Sequence, residues 1–413
     1  MGAAHEQQYL PLRRQYFEIP TSPVILKTGS DLEGIGSTGS IDVNASSIRN
    51  AALGVGGLLV ATATYFCFWP VPAEPVSWVV QPPPGYVGAH APNSLLSDLR
   101  KIDIGAEHGP EHMAIGPDGK LYAAMTSGNL VRMDLDGANQ QLFANTRGRV
   151  LGFAFDAAGR MIVADAMKGL LAISPDGSVI LLTDRLGADD PIAYANSVVT
   201  APDGRIYFTQ SSTRFGPADW GGTYEASVLD IMEQSATGRV LAFDPVSRET
   251  RIVARGLSFA NGIALSADGR SLFVNETGRY RIWKIDSDAN AVDVQNGSPK
   301  ARILLDNLPG YPDNLMRGRE GRIWVGLFRP RSPVADGLAG RPFLRKMLLR
   351  LPRSVLSTGA PYGHVFAMDE DGTVTRDLQD PEGDYPGTTG ATETADRLYI
   401  HSLHATAIGW KPL

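Results

Sequence analysis

The sequence predicts an all-β fold, a six-bladed β-propeller preceded by an N-terminal transmembrane helix. Two observations carry most of this. Six short turns, each followed by an alternating apolar run, recur along the chain: Asp118-Gly119 before KLYAA, Ala158-Gly159 before RMIVA, Asp203-Gly204 before RIYFT, Asp268-Gly269 before RSLFV, Glu320-Gly321 before RIWVG and Ala395-Asp396 before RLYIH. A tight turn between two β-runs is a hairpin signal, and six such units fit a ring of blades better than a sandwich. The second observation is a separate stretch, residues 51–69, that runs without a single charge. Abundant glycine (45) and proline (28) suit a turn-rich chain.

The elements follow in order. Residues 1–50 are rich in Gly, Ser and Thr without periodicity and read as a disordered tail. Residues 51–69 rise roughly 28 Å as a helix, close to a bilayer core, with Tyr65, Phe66, Phe68 and Trp69 gathered at one end as aromatic residues are at an interface. Arg49 before the span and Glu74 after it favour a signal anchor with a cytoplasmic N-terminus and the rest of the chain on the extracytoplasmic or lumenal side. A cleaved signal peptide is the competing reading, opposed by the long segment ahead of the apolar run. Residues 70–97, with seven prolines, read as a stiff stalk. Residues 98–413 form the propeller, with a strand within 95–104 expected to pair with the C-terminal AIGWKPL run and close the ring.

Composition excludes several functions. A net charge of −6 argues against a general nucleic-acid binder. The lone cysteine, Cys67, removes disulfides, CxxC redox motifs and multi-cysteine zinc sites. No GxSxG elbow, Walker loop or dinucleotide fingerprint in a βαβ setting is present. Residues 341–356 (RPFLRKMLLRLPRSVL) space Leu344, Met347, Leu348 and Leu351 as a basic amphipathic helix, suited to an anionic membrane or to a lid. Asn275 and Asn296 head glycosylation sequons, with Asn296 the better placed.

The repeat register points to a site. Eight residues before each turn glycine, or before Asp396 in the last unit, stand Glu111, Leu151, Asn196, Asn261, Asp313 and Thr388, and Asn314 follows Asp313. In a propeller these positions start the innermost strands and face one channel. Glu and Asp buried there call for a cation. An all-oxygen set of carboxylates and amides suits a hard cation, most readily Ca²⁺, with Mg²⁺ more demanding of geometry and Zn²⁺ preferring N or S. A single Asn or Asp at a strand start is more often a turn cap, but four at one register of different blades are not. Arg149 and His112 are substrate-binding candidates beside this ring, and His108, His401 and His404 are further histidines near it.

The segments 194–212, 238–277 and 308–331, with RPFLRKM at 341–347, resemble the strictosidine synthase-like family, within a propeller superfamily that includes paraoxonases, regucalcin and gluconolactonases. The resemblance implies a six-bladed propeller with one divalent cation at the channel mouth. It implies metal ligation by Glu111, Asn196, Asn261, Asp313 and Asn314, with Asp313 also the general base of a lactonase. Two departures stand out. Gly387-Thr388-Thr389-Gly390 lacks the glutamate of true strictosidine synthases, and Leu151-Gly152 replaces the second-blade histidine of paraoxonases. The expectation is therefore a Ca²⁺-dependent hydrolase of small-molecule esters or lactones, with residues 215–230 shaping substrate choice. A non-catalytic membrane-anchored binding protein is the first alternative, and a biosynthetic enzyme of strictosidine synthase type the second.

Overall fold

The structure, a computed structural model, describes residues 45–351 and 359–413. The chain divides into an N-terminal unit ending at Ala61 and a second unit from Thr62 onward. Helix α1 (Ala45–Phe68) is long and apolar enough to cross a membrane, and none of its side chains is buried. Ser46, Ser47, Arg49 and Asn50, ahead of the charge-free stretch, already belong to the helix; the remainder of the expected tail, residues 1–44, lies outside the described residues.

Six sheets, antiparallel but for a short parallel fifth strand on the third, make six blades, each beginning with its innermost strand: His112–Ile115, Val150–Phe155, Ala195–Thr200, Ala260–Leu265, Gly310–Arg317 and Thr388–Glu393. Each inner strand adjoins the next around the ring, and the last adjoins the first. The expected closure is realised by Arg100–Asp103, which pairs with Ala407–Pro412 and puts Arg100 opposite Trp410. The last sheet is therefore built from both ends of the propeller, which removes an open edge.

Alternation explains why the ring holds. A blade is covered on both faces, so its strands are apolar on both sides. In Leu121–Ala124, Leu121 and Ala123 pack towards Met113, Tyr399 and Ile408, while Tyr122 and Ala124 pack towards Phe153 and Val163. Six such clusters fill the six interfaces between neighbouring blades. A seventh joins Leu151, Tyr194 and Phe259 to Phe215 and Ala226 of an insertion above the ring.

That insertion and two other segments cover one face. Helices α2 (Pro217–Trp220) and α3 (Thr223–Glu233) interrupt blade three between Ile206–Gln210 and Gly238–Asp244, at the end where Ala195 pairs with Gln210. Helices α4 (Pro333–Gly337) and α5 (Pro342–Leu348) interrupt blade five at the corresponding end. The proline-rich segment 70–97, expected as a stiff stalk, lies against the propeller: Val76 N–H donates to the Glu233 carbonyl at 2.8 Å, Trp78 N–H to the Ala339 carbonyl at 3.2 Å, and Ala73 and Leu96 are buried. Prolines stiffen it, but its apolar residues bind it as a strap.

The basic helix expected over 341–356 is shorter, and two of its arginines are spent internally. Arg345 donates to the Met232 carbonyl at 2.9 Å and also to the Val76 carbonyl; Arg350 donates to the Phe66 and Trp69 carbonyls at 2.8 and 2.6 Å. Residues 352–358 lie outside the described residues. Of the two sequons, Asn275 is buried and donates to the Asp313 carbonyl at 2.6 Å, while Asn296 is exposed.

Candidate functional site

The inner strands carry a common irregularity where the register residues sit. Pairing slips between Val150 and Gly152, Ala195 and Val198, Ala260 and Ile263, and Pro312 and Leu315, so Leu151, Asn196, Asn261, Asp313 and Asn314 all stand in bulges. A bulge leaves a residue unpaired and re-aims its side chain. The strands also crowd here: a Cβ on Gly262 would lie 2.3 Å from the Leu315 nitrogen and 2.5 Å from the Asp313 carbonyl oxygen. Only glycine permits that approach.

The sixth blade corrects the count. Glu393 pairs with Leu398 across a four-residue turn, Thr394 to Arg397, one residue shorter than the link between Ile115 and Leu121. The register residue is therefore Thr389, in the slip between Thr388 and Gly390, and not Thr388, whose hydroxyl bonds the Leu327 and His364 carbonyls. Thr389 Oγ1 donates to the Glu111 carbonyl at 2.7 Å, and Asn314 Nδ2 donates to the same carbonyl at 3.1 Å. Blades five and six are thus tied to blade one beside the channel.

All five expected ligands are buried in the protein. Asn196 Nδ2 donates to Ser211 Oγ at 2.9 Å, and that hydroxyl donates to the Ala260 carbonyl at 2.8 Å. The Asn261 side chain hydrogen-bonds the Asp313 carboxylate. Burial first, and the charge of Glu111 second, push the Asp313 carboxyl well above its ordinary value, with the Asn261 bond only partly opposing them. Burial raises Glu111 to about 7 against the pull of Arg149. Asn261 Oδ1 and Asn314 Oδ1 are buried without a hydrogen-bond partner. Buried acceptors lacking donors, grouped with an uncompensated carboxylate, have the donor chemistry that a hard cation satisfies.

Other residues near the site take different parts. Arg149 is buried, pairs with Glu111 and donates to the Met125 carbonyl at 2.9 Å, so its guanidinium is engaged within the protein. His112 Nε2 meets the Phe153 carbonyl at 2.9 Å, and its ring lies 5.7 Å from that of His401. Burial lowers the His112 pKa to about 4 and that of His401 well below ordinary, so both are neutral and their Nδ1 atoms have no partner. The Tyr194 hydroxyl donates to the Thr223 carbonyl at 2.9 Å; burial, then the charges of Glu111 and Asp313, raise its phenol. On the rim, the Phe328 and His404 rings meet at a tilt with centres 5.6 Å apart, with the Arg329 guanidinium 4.5 Å from the Phe328 ring centre, while His108 is exposed.

A second polar cluster was invisible in the sequence, since its members are far apart in the chain. Asp377 Oδ2 lies 2.6 Å from His90 Nδ1 and 2.7 Å from His364 Nε2, and Asn93 Nδ2 donates to the other carboxylate oxygen at 3.2 Å. The three donor atoms fall within 4.8 Å of one another, a set that could hold a metal ion. At these spacings the carboxylate accepts hydrogen bonds from both rings, which clasps the strap to blade five.

Comparison with known proteins agrees with this architecture. Residues 118–334 match the model of the SMP-30/gluconolactonase/LRE-like region, and residues 88–133 match the strictosidine synthase-like N-terminal model. The Arabidopsis thaliana protein strictosidine synthase-like 4 is 35% identical over 318 residues, covering 75% of this chain and 80% of the relative. The chain belongs to the strictosidine synthase-like family. Another member similar to it is the zebrafish (Danio rerio) adipocyte plasma membrane-associated protein, 29% identical over 358 residues, covering 81% and 82% of the two chains. Among solved structures, a Xanthomonas campestris gluconolactonase superposes with a TM-score of 0.53 at 20% identity, over 83% of this chain and 99% of that one, a likeness of fold. This strictosidine synthase-like chain thus shares its propeller with gluconolactonases and carries an N-terminal helix able to serve as a single-pass anchor.

Proposed function

We propose that the chain is a divalent-cation-dependent hydrolase of esters or lactones, with Ca²⁺ held by Glu111, Asn196, Asn261, Asp313 and Asn314. The observation that carries this reading is the raised, buried Asp313 carboxyl beside two partnerless amide oxygens, Asn261 Oδ1 and Asn314 Oδ1. When bound, the cation supplies Lewis-acid polarisation of a carbonyl and stabilisation of the oxyanion. Asp313 takes a proton from the attacking water as the general base. The Asn261 amide orients that carboxylate. Arg149 compensates Glu111, so the ring does not hold two bare carboxylates. Tyr194 and the α2–α3 insertion restrict water and shape the substrate space. Arg149 and His112 act on substrate only indirectly in this scheme, by fixing Glu111 and the blade-one strand.

The anchor would be Ala45–Phe68, with the N-terminus cytoplasmic and the propeller on the other side, in keeping with Arg49 before the span and Glu74 after it. The test is turnover of aryl acetates and δ-lactones by the full chain in detergent, with Ca²⁺ or with chelator. Activity that vanishes with chelator and in Asp313→Asn supports the reading; activity that persists in Asp313→Asn overturns it. A second reading is a binding protein whose cation only stiffens the channel, favoured by Leu151 packing under Phe215 and Ala226 where a paraoxonase has histidine. Ca²⁺ binding with no turnover of either substrate class would select it.

A further inference from the structure

We propose that the outer side of the lid over the channel mouth, formed by the strap with α4 and α5, seats in the phospholipid bilayer that α1 enters. This rests on the anchor reading and extends it from a tether to an oriented contact. The inner sides of these segments are accounted for. Trp78 and Val80 pack on the interface between blades four and five, Leu349 packs beside Leu229 and Ile231, and Arg345 ties α3, the turn after α4 and the strap together. Their outer sides carry large apolar residues, Val79 93% exposed, Val334 57%, Phe343 53% and Leu344 38%, while the exposed Glu74 of the strap is paired with Lys346 of α5. Arg341, also exposed, stands at the start of α5 among them. Apolar side chains beside a basic residue on the outside of a short helix make an interfacial surface.

The length of chain names the occupant. Four residues separate the end of α1 at Phe68 from Ala73, which is fully buried under the lid, and Arg214 holds the Pro72 carbonyl at 2.9 Å. Even fully extended, that link spans at most about 18 Å. A chain anchored by α1 therefore keeps the strap within reach of the bilayer, and Arg350, just past α5, holds the Phe66 and Trp69 carbonyls at the same link. The turn containing Val246, 94% exposed, lies on the opposite face of blade three and cannot share the contact.

The full chain carrying Cys67→Ser is labelled with an environment-sensitive fluorophore at Phe343→Cys or at Val246→Cys. Both are reconstituted in phosphatidylcholine vesicles containing phosphatidylglycerol and nitroxide-labelled lipid. Quenching at 343 should exceed that at 246 by roughly threefold or more, with blue-shifted emission only at 343. Equal quenching at the two positions overturns the docking, as does a blue shift at 343 without lipid quenching, which would mark a protein partner or a second copy instead. Extraction of the unlabelled chain from vesicles by alkaline carbonate would overturn the anchor itself, and is read separately from the fluorescence.

Discussion

Asp313 and Glu111 face the same problem, a carboxylate out of water, and solve it differently. Glu111 has Arg149 as a fixed counter-charge, whereas Asp313 has only the Asn261 amide. Replacing Arg149 with methionine should strand Glu111 and cost about 3–5 kcal/mol in chelator by denaturant titration. Saturating Ca²⁺ should restore part of that loss, since a cation takes over the compensation. Asp313→Asn keeps the shape but removes both the base and a cation ligand, and should lower kcat on any ester or lactone turned over by at least about 100-fold. Four of the ring residues were legible in the sequence because each stands at a fixed distance from a hairpin turn, so one count finds them all. Thr389 escaped that count because its turn is one residue shorter. The Arg149–Glu111 pair and the Asp377 cluster depend on three-dimensional neighbours that no spacing encodes.

At the scale of elements, the bulges and the strap do most of the positioning. The bulges were not foreseen, since nothing in ANSVVT or ANGIAL distinguishes a bulged strand from a regular one. The strap was read as a stiff stalk because proline content signals stiffness but says nothing of adhesion. Its clasp has a defined pH response. Burial alone would raise Asp377, but hydrogen bonds from His364 and His90 more than reverse it and hold the carboxyl below its ordinary 3.8. Burial lowers His364 from its ordinary 6.5, more than Asp377 raises it. Depressed groups contribute stability above their unfolded pKa and lose it as pH falls. The His364 contribution should therefore fade below about 6.5 and that of Asp377 below about 4. Limited proteolysis within residues 84–97 should quicken from pH 8 to pH 5. In Asp377→Ala it should be fast at both; a pH-independent rate in the native chain would remove the clasp.

For the whole molecule, stability is that of a closed ring. The number of blades and the closing strand were readable from repeats and from the two ends of the chain, and the insertions at 215–230 and 341–356 from their own composition; the strap's place over the same face was not, since no repeat encodes it. Deleting residues 98–104 should leave Ala407–Pro412 as an open edge and expose Ile102 and Ile104 partners, abolishing the single cooperative thermal transition in calorimetry. A cation held by blades one, three, four and five would act as a second closure. It would add stability by mass action, about 2.7 kcal/mol at a hundredfold excess over its dissociation constant. The most direct measurement is the unfolding temperature of the full chain in detergent, with Ca²⁺ and with chelator, beside Asp313→Asn. A rise of roughly 5 °C with Ca²⁺ in the native chain, absent in Asp313→Asn, is the predicted result. Identical unfolding temperatures with Ca²⁺ and with chelator would contradict a cation at the channel mouth.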